Sequence, residues 1–212
     1  MFLRIGIPQK AVTGGIIMKE FLNRITSGKR PVIFAGAIYT VAWLVIVLSA
    51  WLINLHRYDL GRTISAYIGF RKWTVVFYFI CATIIFLLIS IYIHNMKANL
   101  AKKLVYFVVF ICVWGCSIFP SNREWSTTIS QIHLFFADGL MFTASFSFVL
   151  TMFTAKRKGQ RIFSIATFFY ALFFIISLLV MKWNWFENTI FLWENLCIYL
   201  LIVELLLETP KK

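Results

Sequence analysis

Apolar residues gather in six long runs along the chain, approximately 32–55, 74–94, 104–119, 132–154, 162–181 and 189–207, with short polar connectors between them. A helix that crosses a bilayer needs roughly 20 residues, within a range of about 17–25. The shortest run, "LVYFVVFICVWGCSIF", reaches that length once its flanks are included. The pattern predicts an all-α membrane protein: a six-transmembrane-helix bundle over residues 32–208, behind a cytoplasmic or interfacial segment, 1–31. The short connectors predict that sequence neighbours pair as antiparallel hairpins. The first 31 residues lack the apolar core and cleavage site of a secretory signal. Within them "IIMKEFLNRI" is weakly amphipathic and suits a helix lying on the membrane surface. Met18 offers an alternative start to Met1. No internal repeat and no soluble domain is visible.

Composition narrows the class. The 212 residues are 61% hydrophobic and only 14% charged, with a mean hydropathy of +0.83. A soluble domain is usually about 45–50% apolar, and this few charges cannot coat one. The net charge of +13 does not indicate nucleic acid, because the basic residues sit in clusters between apolar runs rather than along one polar face. They behave as membrane anchors. With the N-terminus inside, fifteen Lys and Arg fall in cytoplasmic segments and six outside. That asymmetry puts both termini in the cytoplasm, with Lys102, Lys156 and Lys212 inside and Arg123 outside. The first outer loop, 56–73, carries four of the six outer cations, either as a solvated loop or to meet phosphate headgroups. The expected location is a bacterial cytoplasmic membrane, and the richness in Lys, Ile, Phe and Asn suggests an AT-rich genome.

In this topology the varied polar chemistry collects at the outer ends of the second, fourth and sixth runs. Asp59, Arg62, Ser65, Arg123, His133, Asp138 and Glu194 lie there, at the level of Trp125, Trp183, Trp185 and Trp193, which suit an interfacial aromatic belt. In the fourth run Gln131, Asp138 and Ser145 are seven apart and return within about 20° of one another, a polar stripe. A charge near the bilayer centre costs roughly 2.5–3.5 kcal/mol, so the stripe is expected to face other helices or a wet cavity. His133 stands about 140° round the helix from Asp138, which argues against a simple pair. Asp59, Arg62, Arg123, His133, Asp138 and Glu194 form the candidate ligand-binding set. The competing reading makes the carboxylates pins between helices. Near the other end Glu204 is expected beside basic residues such as Lys156 or Arg157, with Glu208 at the interface.

Catalytic chemistry is less well supported. A nucleophile needs an adjacent base; the candidates are Ser65 as nucleophile, His133 as base, and Asp59 or Asp138 as orienter. No nucleophile elbow surrounds Ser65, which also suits a helix cap. Cys112 and Cys116, four apart, are not a C-x-x-C motif, and Cys81 and Cys197 read as small core residues. Three histidines, His56, His94 and His133, give no metal-ligand spacing. No Gly-rich phosphate loop appears. Neither a metal nor another cofactor is called for.

The order of segments carries a resemblance. A first span is followed by "TISAYIG", a third span ends in "GCSIFPSN", "IHLFFADGLMF" opens the fourth, and "LWENLCIYLLIVELL" lies in the last. This resembles the six-span prokaryotic membrane family described as domain of unknown function nine-nine-eight. There a "S-x-S-x-L-G"-like stretch follows the first span, and a "G-L-F-P" end of the third precedes a His that opens the fourth. Ala66 stands here where that family commonly has Asp, and "SIFP" replaces "GLFP". The arrangement is more distantly similar to the Frag/DRAM/Sfk-like membrane proteins, which implies a link to lipid handling.

Three readings follow. The leading one is non-catalytic binding of a membrane lipid or other amphiphile, or of a membrane-protein partner, in an outer-leaflet polar cavity. The second is an intramembrane hydrolase or transferase using Ser65, His133 and Asp138. The third is a small transporter or an immunity protein against a membrane-active peptide. A transporter prefers helices broken near the midplane, and these runs contain no internal Pro.

Overall fold

A computed structural model describes residues 19–53, 67–68, 72–119, 127–177 and 189–210. Six long helices are formed: α1 Arg30–Ile53, α2 Lys72–Asn95, α3 Leu100–Ile118, α4 Thr127–Thr154, α5 Lys158–Ile176 and α6 Ile190–Leu207. All six are long and apolar enough to cross a membrane. A shorter helix over 19–26 precedes them. It stops at a turn where Gly28 takes φ 61°, a left-handed conformation that costs a residue without Cβ little. The described residues contain no strand, only an isolated bridge between Met96 and Pro210.

Several helices begin before their apolar runs. α3 starts at Leu100 rather than 104, α4 at Thr127 rather than 132, and α5 at Lys158 rather than 162. A helix satisfies its own backbone whatever its side chains, so it continues through the polar border of the membrane. At α3 the Asn99 side chain accepts the Lys102 backbone N–H at 2.9 Å, an N-cap that carries Lys102 into the helix.

Sequence neighbours pack side by side, α1 on α2 through to α5 on α6, and α6 returns to α1 to close the ring. α6, together with Glu208 just past its end, is bonded by side chains to all five other helices. Tyr39 Oη of α1 donates to Asn195 Oδ1 at 2.8 Å, and Trp43 Nε1 donates to Tyr199 Oη at 2.7 Å. Tyr92 of α2 donates to the Leu205 carbonyl at 2.8 Å. Lys102 of α3 pairs with Glu208 just beyond α6. Ser147 of α4 donates to Glu204 at 3.3 Å, and Gln160 of α5 donates to Glu208 at 2.6 Å. The last carbonyls of a helix have no intrahelical donor. Those of α6 are taken by Tyr92 and by Lys29, which bonds the Leu206 carbonyl, where a cation also complements the helix dipole.

The outer surface is apolar: Phe153, Phe135, Leu52 and Phe142 are each exposed by about 70% or more. In water such a surface would associate; in a bilayer it is the lipid-facing coat. Small residues let helices approach. A Cβ at Gly115 of α3 would lie 2.4 Å from Phe136 Cγ of α4, and one at Gly139 would lie 3.1 Å from Cys112 Sγ. This is the close small-residue packing that membrane helices use in place of a hydrophobic driving force.

Candidate functional site

A cavity of about 290 Å³ opens between the first halves of α4 and α6. These two helices are not neighbours in the ring, so their starting ends can diverge while Ser147 and Glu204 join them further along. Leu134, Met141, Phe174, Ile190 and Ile198 form its apolar wall, and His133, Asp138 and Glu194 bring ionisable groups to it. Tyr39, Tyr78 and Cys116 reach it from α1, α2 and α3, so every long helix contributes.

The turn of α4 explains how His133 and Asp138 share this space although they lie about 140° apart. The lining residues of α4 sweep a broad arc from Leu140 and His133 round to Asp138. His133, at the deep edge, is 8% exposed, while Asp138, at the opposite edge, is exposed. The cavity therefore lies against the side of α4, buried at one margin and open at the other. Glu194 is half-buried and lies within electrostatic range of Tyr39, Tyr78 and Cys116.

His133 also has a structural bond. Its Nδ1 lies 2.7 Å from the Phe119 carbonyl oxygen at the C-cap of α3. A carbonyl only accepts, so Nδ1 carries the proton, and in the neutral ring Nε2 is an acceptor. The contact ties the end of α3 to the start of α4 and fixes the imidazole at the cavity's inner edge.

Ser65, Asp59, Arg62 and Arg123 lie outside the described residues. Of the first connector Tyr67 and Ile68 are described. Both are buried, Ile68 lines the cavity, and Tyr67 packs edge-on against Phe191 at 5.2 Å. Thr74 Oγ1 donates to the Ile68 carbonyl at 2.7 Å, which fixes this short piece to the start of α2.

One expectation is met in part and one is corrected. Of the stripe Gln131–Asp138–Ser145, Asp138 faces the cavity, as one of the two alternatives required, but the stripe does not pack between helices: Gln131 and Asp138 are exposed, and half-buried Ser145 donates to the Met141 carbonyl at 2.8 Å within its own helix. The buried polar positions of α4 are His133, Ser147 and Thr151. Seven-residue spacing identifies a face, but the packing of Ala144 and Phe148 into the core decides which face turns inward. Glu204 is not beside Lys156 or Arg157, both of which are exposed. It is fully buried against Ser147, and the cation whose charge reaches it is Lys102. Glu208 is held by Lys102 and Gln160.

Sequence reasoning missed Tyr39, Tyr78, Cys116 and Asn195 near the cavity, because tyrosine and cysteine in apolar runs carry no distinguishing spacing. It also missed Lys102 and Gln160 as interior groups, since both read as polar borders. Their signal was present: Lys102 and Tyr106, Gln160 and Ser164, and Glu204 and Glu208 are each four apart, on one helical face.

The six long apolar helices and the apolar outer surface are those of a multi-pass membrane protein. No family model, no curated protein and no solved structure matches the chain, so the resemblance to domain of unknown function nine-nine-eight rests on the residues quoted for it.

Proposed function

We propose that the cavity between α4 and α6 binds the polar head of a membrane lipid or similar amphiphile, on the outer-leaflet side of a bacterial cytoplasmic membrane with both termini inside. The observation that carries this reading is the gathering of His133, Asp138 and Glu194 from two helices around one apolar-walled space. A volume of about 290 Å³ is close to the lower end of ligand sites, roughly 300 Å³, enough for a headgroup. Two carboxylates select a head that is cationic or rich in donors. An aminophospholipid suits them, its ammonium meeting Asp138 and Glu194. The family resemblance, with its distant link to lipid handling, points the same way.

The geometry supports binding better than Ser-type hydrolysis. In a triad the carboxylate orients the base through its Nδ1, and here Nδ1 is taken by the Phe119 carbonyl. The test is native mass spectrometry of the detergent-solubilised protein, titrated with phosphatidylethanolamine and with phosphatidylglycerol. Phosphatidylethanolamine is expected to be retained preferentially, and Asp138→Asn to reduce that preference at least tenfold. Equal retention of both lipids by wild type and variant would refute the reading.

A further inference from the structure

The end of the bundle opposite the cavity holds a buried polar centre built in two layers. The helix directions and the bonds define them. α3 and α5 run antiparallel to α6 and α4 runs parallel to it, so residues one turn further into the bundle meet one turn further in. The first layer contains Lys102, Gln160 and Glu208, and its bonds are made: Lys102 pairs with Glu208, and Gln160 donates to the same carboxylate. One turn deeper each helix supplies another oxygen: Tyr106 from α3, Ser164 from α5, Glu204 from α6, and Ser147 and Thr151 from α4. All five residues are buried, with 0% exposure. Thr151 and Ser147 stand beside both Tyr106 and Glu204.

This second layer is not saturated. Ser147 donates to Glu204 Oε2, whereas Glu204 Oε1, Tyr106 Oη, Thr151 Oγ1 and Ser164 Oγ make no well-formed hydrogen bond among the described residues, although Thr151 lies close enough to Tyr106 and Glu204 to act on both. An unpaired buried polar atom costs about 1–3 kcal/mol, so these positions in a membrane interior call for a partner; Tyr106, Thr151 and Glu204 are neighbours, and Ser164 stands one turn along α5 from the Gln160 that bonds Glu208. Charge decides what they receive. The charged groups near Glu204 are Lys102 and Glu208, and Lys102 is already paired to Glu208. Lys29 is held at the helix terminus by the Leu206 carbonyl. An ionised Glu204 therefore adds one negative charge that no cation among the described residues pairs with. A divalent ion would leave a buried positive charge, and among the described residues no three His, Cys, Asp or Glu side chains converge to hold one. The donors are a carboxylate, a phenol and hydroxyls, all hard oxygens of the kind alkali and alkaline-earth cations take.

We propose that Glu204, Tyr106, Thr151 and Ser164 form an intramembrane site for a small monovalent cation of the sodium class. Protons compete for it at Glu204. A proton on Glu204 would neutralise the carboxyl and leave only hydrogen bonds to the neighbouring hydroxyls, while a cation would be held by the lone pairs of the carboxylate, phenol and hydroxyl oxygens. The site is separate from the lipid-facing cavity and does not rest on that reading.

Sodium itself is the probe. Thermal unfolding of the detergent-purified protein is followed as NaCl replaces choline chloride at constant ionic strength and mildly alkaline pH. A ligand that binds only the folded state stabilises it by mass action, so Tm is expected to rise with sodium and to saturate. Acidification by two pH units should move the midpoint to higher sodium. Glu204→Gln, which keeps the shape and removes the charge, should abolish the sodium response while Tm stays at or above that of the sodium-free wild type. If Glu204→Gln cannot be purified, Ser164→Ala serves in its place and should raise the midpoint at least threefold. Equal Tm in sodium and choline, a sodium response kept by Glu204→Gln, a midpoint unmoved in Ser164→Ala, or a Tm that follows pH but not sodium would each overturn the proposal.

Discussion

Gly115→Ala is the sharpest test of how α3 and α4 are packed. The new Cβ would stand 2.4, 2.5 and 2.6 Å from Phe136 Cγ, Cδ1 and Cδ2. Carbon atoms rest at about 3.5–4.0 Å, so the ring must retreat by roughly 1 Å or more. The nearest atom is Cγ, the root of the ring, which a rotation of the ring about its own axis cannot remove. Phe136 is further confined by stacking on Phe119, with ring centres 6.1 Å apart, and by the edge of Phe135 at 5.5 Å. The strain therefore goes into the α3–α4 separation. Overpacking of this kind costs about 1–3 kcal/mol, and at about 2–4 °C per kcal/mol for a chain of this size Tm should fall by roughly 2–12 °C. The assay is thermal unfolding in detergent, followed by tryptophan fluorescence. Gly159→Ala is the control, because its Cβ would meet nothing within 4 Å and a helical alanine is favoured over glycine by about 1 kcal/mol. Gly115→Ala with Phe136→Leu should recover part of the loss. A Gly115→Ala protein as stable as Gly159→Ala would show that the two helices do not meet in this way.

Lys102→Met should destabilise by about 1–3 kcal/mol, since it leaves half-buried Glu208 beside Glu204 without its cation; Glu208→Gln in the same chain should restore much of the loss in the same melting assay. Tyr39→Phe leaves Asn195 Oδ1 without its donor and should cost about 1–3 kcal/mol in thermal unfolding, whereas Ser145→Ala, which removes only a bond within α4, should change Tm little. Asp138→Leu should express as well as wild type because Asp138 is exposed at the cavity rim; a folding failure would mean that the rim is packed. For topology, Lys156→Cys and Lys97→Cys, at two exposed positions, should resist an impermeant maleimide in intact cells while Arg123→Cys reacts; labelling at 156 but not at 123 would invert the orientation and move the cavity to the cytoplasmic side.

The sequence by itself determined the six helices, their approximate spans and their pairing between neighbours. Those follow from two local facts: a run of apolar side chains must be about 20 residues long to span hydrocarbon, and short connectors keep neighbours adjacent. It also brought His133, Asp138 and Glu194 to one depth, because depth along a helix can be counted. Direction around a helix cannot be counted in the same way when apolar residues cover every side, and here the spacing of Gln131, Asp138 and Ser145 placed Asp138 at the cavity but did not find the face that packs between helices. Only the tertiary structure decided that α4 turns Ser147 and Thr151 inward, that His133 donates to the end of α3, and that α6 ties the bundle together. It also decided the fate of Lys102 and Gln160, polar residues at the margins of apolar runs that read as membrane borders. Helix starts beyond those runs carry them inside, where Glu204 and Glu208 make a buried polar centre. The physical reason is that hydropathy reports what lipid accepts, while the interior of a bundle is solvated by its own side chains, and those partners are known only once the helices are packed.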